Sequence, residues 1–216
     1  MGDAPAPTSA NRDLAGHKLV ILSPFKEEPA LRERLHKRFP GLKVQHFDWD
    51  VWHKPTLPSA QTTDNQGGSL DWSDVTVLVT GPQFPEREEA PKLQLVQLQS
   101  AGANYVLEKP IYKDTDIAFC TANGVHGPQI SEWVIATFLA HQHRIPYYLD
   151  RQKEAKWTRD NEIASGIEDT VGQRVGILGY GAIGRQTARV ARAMGMTVYA
   201  YTNRPRTTPE SKRDHA

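Results

Sequence analysis

Short runs of apolar residues recur along the chain and predict β-strands, because charged or turn-forming residues bound each run. Between the first two runs, residues 27–39 are charged and carry Leu31, Leu35 and Phe39 at every fourth position, which predicts an amphipathic helix. Strands that alternate with helices or long loops predict an α/β protein with a doubly wound parallel sheet. The predicted strands of the first half lie at residues 17–25, 42–47, 75–79, 95–98 and 117–120.

The second half of the chain opens with a long predicted helix. Gly127 and Pro128 precede it, and proline is well tolerated in a first helical turn. The apolar pattern continues to about residue 143, and a second helical segment follows at residues 147–157. A boundary between two α/β units is therefore expected near Val125. The predicted divisions are a disordered tail at 1–16, a first domain at 17–125 and a second domain at 126–216.

A glycine-rich turn joins a strand to a helix in the second domain. Residues 174–178 form an apolar run, residues 179–184 read G-x-G-x-x-G, and residues 196–201 predict the next strand. This order is typical of the first half of a dinucleotide-binding fold, the Rossmann fold. The bracketing strands and helix make the motif far more specific than the glycines alone.

Each glycine of this turn has a predicted role. Gly179 makes the tight turn, Gly181 lets the backbone approach a pyrophosphate, and Gly184 lets the helix pack closely on the strand. The N–H groups at the helix start would hold the pyrophosphate, and the helix dipole would help. The predicted cofactor-binding residues of the turn are Gly179, Tyr180, Gly181, Ala182, Ile183 and Gly184.

The end of the following strand bears on the choice of cofactor. An acidic residue normally binds the ribose hydroxyls of NAD at this place, where this chain has Thr202 and then Asn203. A missing carboxylate removes the repulsion of a 2′-phosphate, and Arg204 and Arg206 could pair with that phosphate. The sequence therefore favours NADP over NAD. In the alternative, both arginines are only solvated loop charges.

Composition excludes several other classes. The net charge of +1 gives no electrostatic reason to expect nucleic acid or membrane binding. The single cysteine, Cys120, excludes an internal disulfide framework and fits a reducing compartment, so a cytoplasmic protein is expected. His141 and His143 lie two positions apart on a predicted helix and point to different sides, so no metal site is predicted. Trp49, Trp52 and Trp72 are interpreted as packing residues.

Three segments in this order resemble the D-isomer-specific 2-hydroxyacid dehydrogenase family. They are residues 93–104, residues 123–132 with Asn-Gly-Val-His-Gly at their start, and the glycine turn at 179–184. The resemblance covers residues 18–206. It implies a flavodoxin-like N-terminal substrate domain followed by a Rossmann NAD(P)-binding domain, which is expected to be incomplete here.

The resemblance also implies a chemistry, which is hydride transfer between a nicotinamide and a small 2-oxo or 2-hydroxy acid. Members of the family anchor the substrate carboxylate on backbone N–H groups that match Ala101 and Gly102, and residues 80–83 are expected to form another wall of the same cleft. The catalytic Arg, Glu and His of the family would fall beyond Ala216. No catalytic residue is therefore predicted within the chain, which alone is expected to be inactive. The family also implies a homodimer, formed partly by the helix at 129–143.

Two functions from different classes remain open. The first is an NAD(P)-dependent oxidoreductase, with glyoxylate or hydroxypyruvate reduction as the subtype, and the second is a non-catalytic dinucleotide-binding or corepressor-like partner-binding protein. Formate dehydrogenase, another relative of the family, fits less well around residues 23–25. A single βαβ unit cannot cover both faces of its sheet, so apolar surface is expected to be exposed there. The residues expected in that surface are Val175, Ile177, Val198 and Ala200.

Overall fold

The computed structural model describes residues 14–54, 56–157 and 166–203. The chain divides into two compact units, Met1–Ala122 and Asn123–Ala216. This division lies three residues before the boundary expected near Val125. Most of the predicted tail, together with Arg204 and Arg206, lies outside the described residues.

The first unit is built on one parallel sheet. Its strand order is β2-β1-β3-β4-β5, and every neighbouring pair runs parallel. This is the flavodoxin-like order, in which the sheet grows in both directions from β1. The predicted α/β fold is confirmed. The strands are β1 (Lys18–Ser23), β2 (Lys43–Asp48), β3 (Val77–Thr80), β4 (Leu95–Leu98) and β5 (Ala118–Cys120).

The two faces of this sheet are covered differently. On one face, Leu35 and Phe39 at the end of α1 (Pro29–Arg38) pack against Leu19 and Ile21 of β1. The other face carries the larger core, and the long connections between the later strands cover it with one short helix, α2 (Pro110–Lys113). The most deeply buried side chains of that core are Val20, Leu22, Phe47, Val51, Val75, Leu78, Val96, Leu98 and Val106.

The connection between β2 and β3 is irregular, as its prolines and glycines predict. Its described part contains an isolated antiparallel bridge between Thr63 and Ser69 and a short 3-10 turn at Trp72–Asp74. Asp71 caps this turn by accepting a hydrogen bond from the Ser73 N–H at 2.9 Å. The hydrogen bonds from Ser73 hold the pKa of the Asp71 carboxyl below its ordinary value. Side-chain to backbone bonds therefore stabilise a segment that has no ladder of its own.

The second unit begins with two helices, α3 (Gly127–Gln142) and α4 (Ile145–Lys153). A βαβ unit follows, in which β6 (Arg174–Leu178) and β7 (Thr197–Tyr201) pair in parallel on either side of α5 (Ala182–Ala193) in sequence. The helix α3 packs against α5, where a Cβ at Gly127 would lie 3.4 Å from Ala182 O.

The exposed surface of the β6–β7 ribbon differs from the expected one. Val175, Ile177 and Val198 are half-buried, because α5 follows the turn onto their side of the ribbon; Ile177 faces Gly184 of that helix. The alternation of side chains places other residues on the opposite side. The most exposed apolar residues of the ribbon are Leu178, Tyr199 and Tyr201, and of the four expected residues only Ala200 is exposed.

Candidate functional site

The glycine turn of the second unit adopts a conformation that requires glycine at two of its positions. Gly179 has a φ of +93°, in the left-handed region where a side chain is disfavoured, and its N–H donates to Tyr201 O at 3.0 Å. The turn is thereby fixed to the end of β7. A Cβ at Gly184 would clash with Gly179 O and lie 3.2 Å from Ile177 Cγ2. Only glycine allows α5 to approach the turn and β6 this closely.

Gly181 has a different environment. It caps α5, its carbonyl accepts from the Arg185 N–H at 3.0 Å, and its φ of −82° is open to any residue. A Cβ built at Gly181 would meet no atom within 4 Å. The reason for glycine here is therefore not internal packing, which leaves room for a group outside the chain.

The start of α5 presents backbone donors. No side chain caps this helix, and within the described residues the N–H groups of Ala182, Ile183 and Gly184 have no acceptor. Oriented N–H groups at a helix start attract a phosphate anion. The open space at Gly181 and these donors fit the pyrophosphate of a dinucleotide. Tyr180, predicted with them, is buried, and its carbonyl accepts from Arg185 Nη1 at 3.4 Å.

The predicted ribose-binding residues lie at the neighbouring strand end. Thr202 and Asn203 directly follow β7, whose last residue is tied to Gly179. Thr202 is half-buried and Asn203 is exposed, and neither side chain carries a charge. Arg204, the third predicted residue, lies outside the described residues.

In the first unit, the predicted carboxylate-binding loop follows β4. Ser100 Oγ donates to Gly102 O at 2.7 Å and lies 2.8 Å from the Tyr105 hydroxyl, so the serine fixes the loop from inside. The Gln99 side chain donates to Leu22 O at 2.7 Å and ties the same loop to the end of β1. A Cβ at Gly102 would meet nothing within 4 Å. The loop is held rigidly while Gly102 remains open to solvent.

The backbone donors of this loop are available. Within the part of the chain that the structure describes, the N–H groups of Ala101 and Gly102 have no hydrogen-bond acceptor. Two neighbouring N–H groups without partners can bind a carboxylate. The loop lies at the carboxyl edge of a parallel sheet, where ligands of open α/β folds bind.

The loop after β3 has a packing role that the sequence does not reveal. Thr80 is fully buried and donates to Gln83 O at 3.2 Å, which closes the turn. A Cβ at Gly81 would lie 2.7 Å from Val51 Cγ2 and 3.2 Å from the Trp52 ring. Gly81 is therefore needed for close contact with the segment after β2.

That segment contains a residue that the sequence analysis interpreted only as packing. Trp52 lies against Gly81, and its ring meets Tyr105 edge to face with centroids 6.0 Å apart. Yet 45% of Trp52 is exposed. Trp49 and Trp72, in contrast, are half-buried against the core. No pattern in the sequence distinguishes the three tryptophans, because the difference depends on loops that are distant along the chain.

Asp50 determines the conformation of the Trp52 segment. Its carboxylate accepts from the N–H groups of Trp52 and His53 at 3.1 Å, and lies 2.8 Å from His53 Nδ1. The hydrogen bond with the His53 side chain, followed by these backbone bonds, holds the pKa of Asp50 below its ordinary value. These hydrogen bonds thus stabilise the ionised carboxylate and fix the backbone of this segment.

Two kinds of feature are absent from the described residues. No group of three or more His, Cys, Asp or Glu side chains there could hold a metal ion. No helix in those residues combines the length and apolar character needed to cross a membrane.

Comparison with known proteins places these sites in a family context. Residues 135–216 match the family model for the NAD-binding domain of D-isomer specific 2-hydroxyacid dehydrogenases. The chain is 26% identical over 117 residues to a glycerate dehydrogenase of Methylorubrum extorquens, covering 53% of this chain and 37% of that protein. It is 27% identical over 159 residues to a glyoxylate reductase of Korarchaeum cryptofilum, covering 73% of this chain and 47% of the relative. The chain therefore spans less than half the length of these curated relatives.

A solved structure shows the same fold. It is a D-isomer specific 2-hydroxyacid dehydrogenase from Xanthobacter autotrophicus in complex with NADPH and MES, which aligns with a TM-score of 0.59 and 20% identity. The alignment covers 90% of this chain and 56% of that one. The resemblance inferred from the three sequence segments is confirmed, because residues 135–216 match the NAD-binding domain of D-isomer-specific 2-hydroxyacid dehydrogenases and the curated relatives are named as enzymes of this type.

Proposed function

We propose that this protein is an NAD(P)-dependent oxidoreductase that interconverts 2-oxo and 2-hydroxy acids. The observation that carries the proposal is the glycine turn, where Gly181 leaves open space beside N–H groups at the start of α5 that have no acceptor within the described residues. That arrangement fits a dinucleotide pyrophosphate. When bound, the nicotinamide supplies or accepts the hydride. The residues proposed to hold the dinucleotide are Gly179, Tyr180, Gly181, Ala182, Ile183, Gly184, Thr202, Asn203 and Arg204.

In the same proposal, Ala101 and Gly102 bind the substrate carboxylate through their N–H groups. The open position of Gly102 and the rigid support from Ser100 favour this role. Glyoxylate and hydroxypyruvate are the first substrates to test, and the relative from Korarchaeum cryptofilum is named a glyoxylate reductase. In this proposal the described residues bind the cofactor and the substrate, and none of them is assigned as the acid or base of hydride transfer.

NADP is the proposed cofactor. Thr202 and Asn203 carry no negative charge at the end of β7, so a 2′-phosphate meets no carboxylate from them. The relative from Xanthobacter autotrophicus was solved with NADPH. That neighbour is 20% identical to this chain and therefore supports only the fold. The preference for NADP is inferred from the residues of this chain.

We also propose a cytoplasmic homodimer. The single cysteine fits a reducing compartment. The helix α3 packs one side against α5 and leaves Trp133 exposed on another, with Ile130 and Phe138 also exposed. Large exposed apolar residues on a helix are a common feature of subunit interfaces. The net charge of +1 supports neither nucleic acid nor membrane partners.

A binding experiment tests the cofactor proposal. Nicotinamide fluorescence titrations should show NADPH bound about tenfold more tightly than NADH, a difference of about 1.4 kcal/mol. Gly181→Ala should weaken both, because its methyl group would occupy the open space proposed for the pyrophosphate. Thr202→Asp should reverse the preference, since a carboxylate repels a 2′-phosphate and accepts hydrogen bonds from ribose hydroxyls.

Three results would contradict the proposal at different levels. Equal or tighter binding of NADH by the unaltered protein would remove the NADP preference alone. Undiminished binding by Gly181→Ala would remove the glycine turn as the cofactor site. The turnover test uses a longer chain that includes the catalytic Arg, Glu and His expected from the family; if that chain binds the dinucleotide but never oxidises NADPH with glyoxylate, hydroxypyruvate or another 2-oxo acid, the non-catalytic alternative is favoured.

A further inference from the structure

The carboxyl edge of the first sheet carries two exposed aromatic side chains beside the proposed carboxylate site. Trp52 follows β2 and is 45% exposed, and Phe25 follows β1 and is 76% exposed. Because all five strands run parallel, the loops after β1, β2, β3 and β4 leave the sheet at the same edge. At a ligand-binding edge, an exposed aromatic ring offers an apolar face with which a bound ligand can make contact.

A chain of contacts links Trp52 to the carboxylate-binding loop. The Trp52 ring meets the Tyr105 ring edge to face, and the Tyr105 hydroxyl lies 2.8 Å from Ser100 Oγ. The same Ser100 oxygen donates to Gly102 O. Trp52 is thus separated from Gly102 by only two side chains, both of which are fixed by these contacts.

Phe25 is brought to the same edge by backbone bonds. The N–H of Trp49 donates to Ser23 O at 2.7 Å, which joins the ends of β1 and β2. The Phe25 N–H donates to Ser23 Oγ at 3.1 Å, so the loop turns immediately after the strand. The Gln99 side chain connects the end of β1 to the loop after β4.

The Trp52 ring is held in place and remains partly exposed to solvent. Asp50 holds the Trp52 backbone through two N–H bonds, and Gly81 allows one edge of the ring to pack while much of the residue stays exposed. A fixed aromatic surface loses little conformational entropy on binding. Such a surface contacts apolar groups favourably and offers nothing to a substrate without a side chain.

We propose that Trp52, with Phe25, is a specificity-determining surface that favours 2-oxo acids with a large apolar or aromatic substituent on the carbon next to the carbonyl. The carboxylate binds the N–H groups of Ala101 and Gly102, and the substituent lies on the Trp52 ring. This inference rests on the proposed function, because it takes Ala101 and Gly102 as the carboxylate site. It extends that function from glyoxylate and hydroxypyruvate to acids of the phenylpyruvate type.

Binding to the full 216-residue chain tests the inference without requiring turnover. Backbone amide NMR signals of Ala101 and Gly102, with the indole signal of Trp52, are followed during titration with phenylpyruvate and with pyruvate. Both acids should shift Ala101 and Gly102, and only phenylpyruvate should shift Trp52. Phenylpyruvate should bind about tenfold more tightly, since burial of an aromatic ring readily supplies that factor.

Substitutions then identify the ring responsible. Trp52→Ala should lower the preference for phenylpyruvate from about tenfold to about twofold or less, and Trp52→Phe should keep most of it while preserving packing on Gly81. Phe25→Ala removes a highly exposed ring, so it should reduce the preference without affecting the fold. Tyr112→Ala is the matched control, because Tyr112 is also a partly exposed ring but lies in α2, before β5, and should leave the preference intact.

The possible failures are distinguishable. If both acids shift Ala101 and Gly102 with equal affinity, or if Trp52→Ala and Trp52→Phe both retain the tenfold preference, the aromatic surface is wrong and the proposed function stands. If neither acid shifts Ala101 or Gly102, the proposed carboxylate site and this inference are both wrong. A shift of Trp52 alone would likewise overturn the inference, since the substituent would then bind without the carboxylate.

Discussion

At the scale of single residues, one carboxylate organises the most exposed part of the candidate site. Asp50 accepts hydrogen bonds from two backbone N–H groups and from the His53 side chain. These bonds favour the charged form, so the pKa of Asp50 lies below its ordinary value of 3.8. The turn that presents Trp52 is therefore most stable when Asp50 is ionised.

The pH dependence follows from this direction. A lowered pKa means that the stabilisation is present above pH 3.8 and is lost as the pH falls through the pKa of the folded state. An NMR titration of the Asp50 carboxyl should give a midpoint below 3.8. His53→Ala should move that midpoint upward toward 3.8, because His53 is the largest cause of the shift. An unchanged midpoint in His53→Ala would assign the shift to the backbone bonds alone.

At the scale of elements, two glycines of the turn have different roles: one allows close packing and the other leaves open space. Gly184 is needed for the contact between α5 and the turn, while Gly181 has free space around its α-carbon. Gly184 therefore determines how β6 and α5 pack. Gly181 can determine which group binds beside them.

A pair of substitutions separates these roles. Gly184→Ala should lower the free energy of unfolding of the second unit by about 1–3 kcal/mol, because its methyl group forces the helix away from Gly179. Gly181→Ala should lower it by less than about 1 kcal/mol, since it changes only a helix cap. Urea unfolding followed by circular dichroism measures both values. A loss at Gly181 as large as that at Gly184 would show that the space at Gly181 is not free.

At the scale of the whole molecule, the candidate binding site of each unit lies at the carboxyl ends of its parallel strands. In each, loops at the carboxyl ends of parallel strands carry backbone N–H groups that have no acceptor within the described residues. The first unit has a five-stranded sheet with a large buried core, whereas the described ribbon of the second unit exposes Leu178, Tyr199 and Tyr201. The stability of the first unit is accordingly expected to depend on its central strands.

Leu78 in β3 is the most direct test of that core. Its side chain is fully buried, so Leu78→Ala should lower the free energy of unfolding by about 2–5 kcal/mol. Leu107→Ala is the matched control, because Leu107 is 43% exposed and the same change should cost roughly 0.5 kcal/mol or less. Chemical unfolding monitored by tryptophan fluorescence would measure the difference. Equal losses at the two positions would contradict the described core.

Local patterns in the sequence determined the strands, the long helix, the glycine turn and the family resemblance. The sequence predicts the strand at Leu95–Leu98 with its observed bounds, because three apolar residues in four positions lie between Gln94 and Gln99. The helix predicted to begin within the glycine turn is also observed, since α5 begins at Ala182. Such signals are local, and the residues that carry them are neighbours along the chain.

Only the tertiary structure decided which side of the β6–β7 ribbon is covered and which of the tryptophans at 49, 52 and 72 remains exposed. Val175 and Ile177 are as apolar as Leu178, but the crossover of α5 covers only the first two. Trp52 differs from Trp49 because Gly81 and Tyr105, distant along the chain, meet its ring. Burial is a property of contacts between remote segments, which composition and periodicity do not encode.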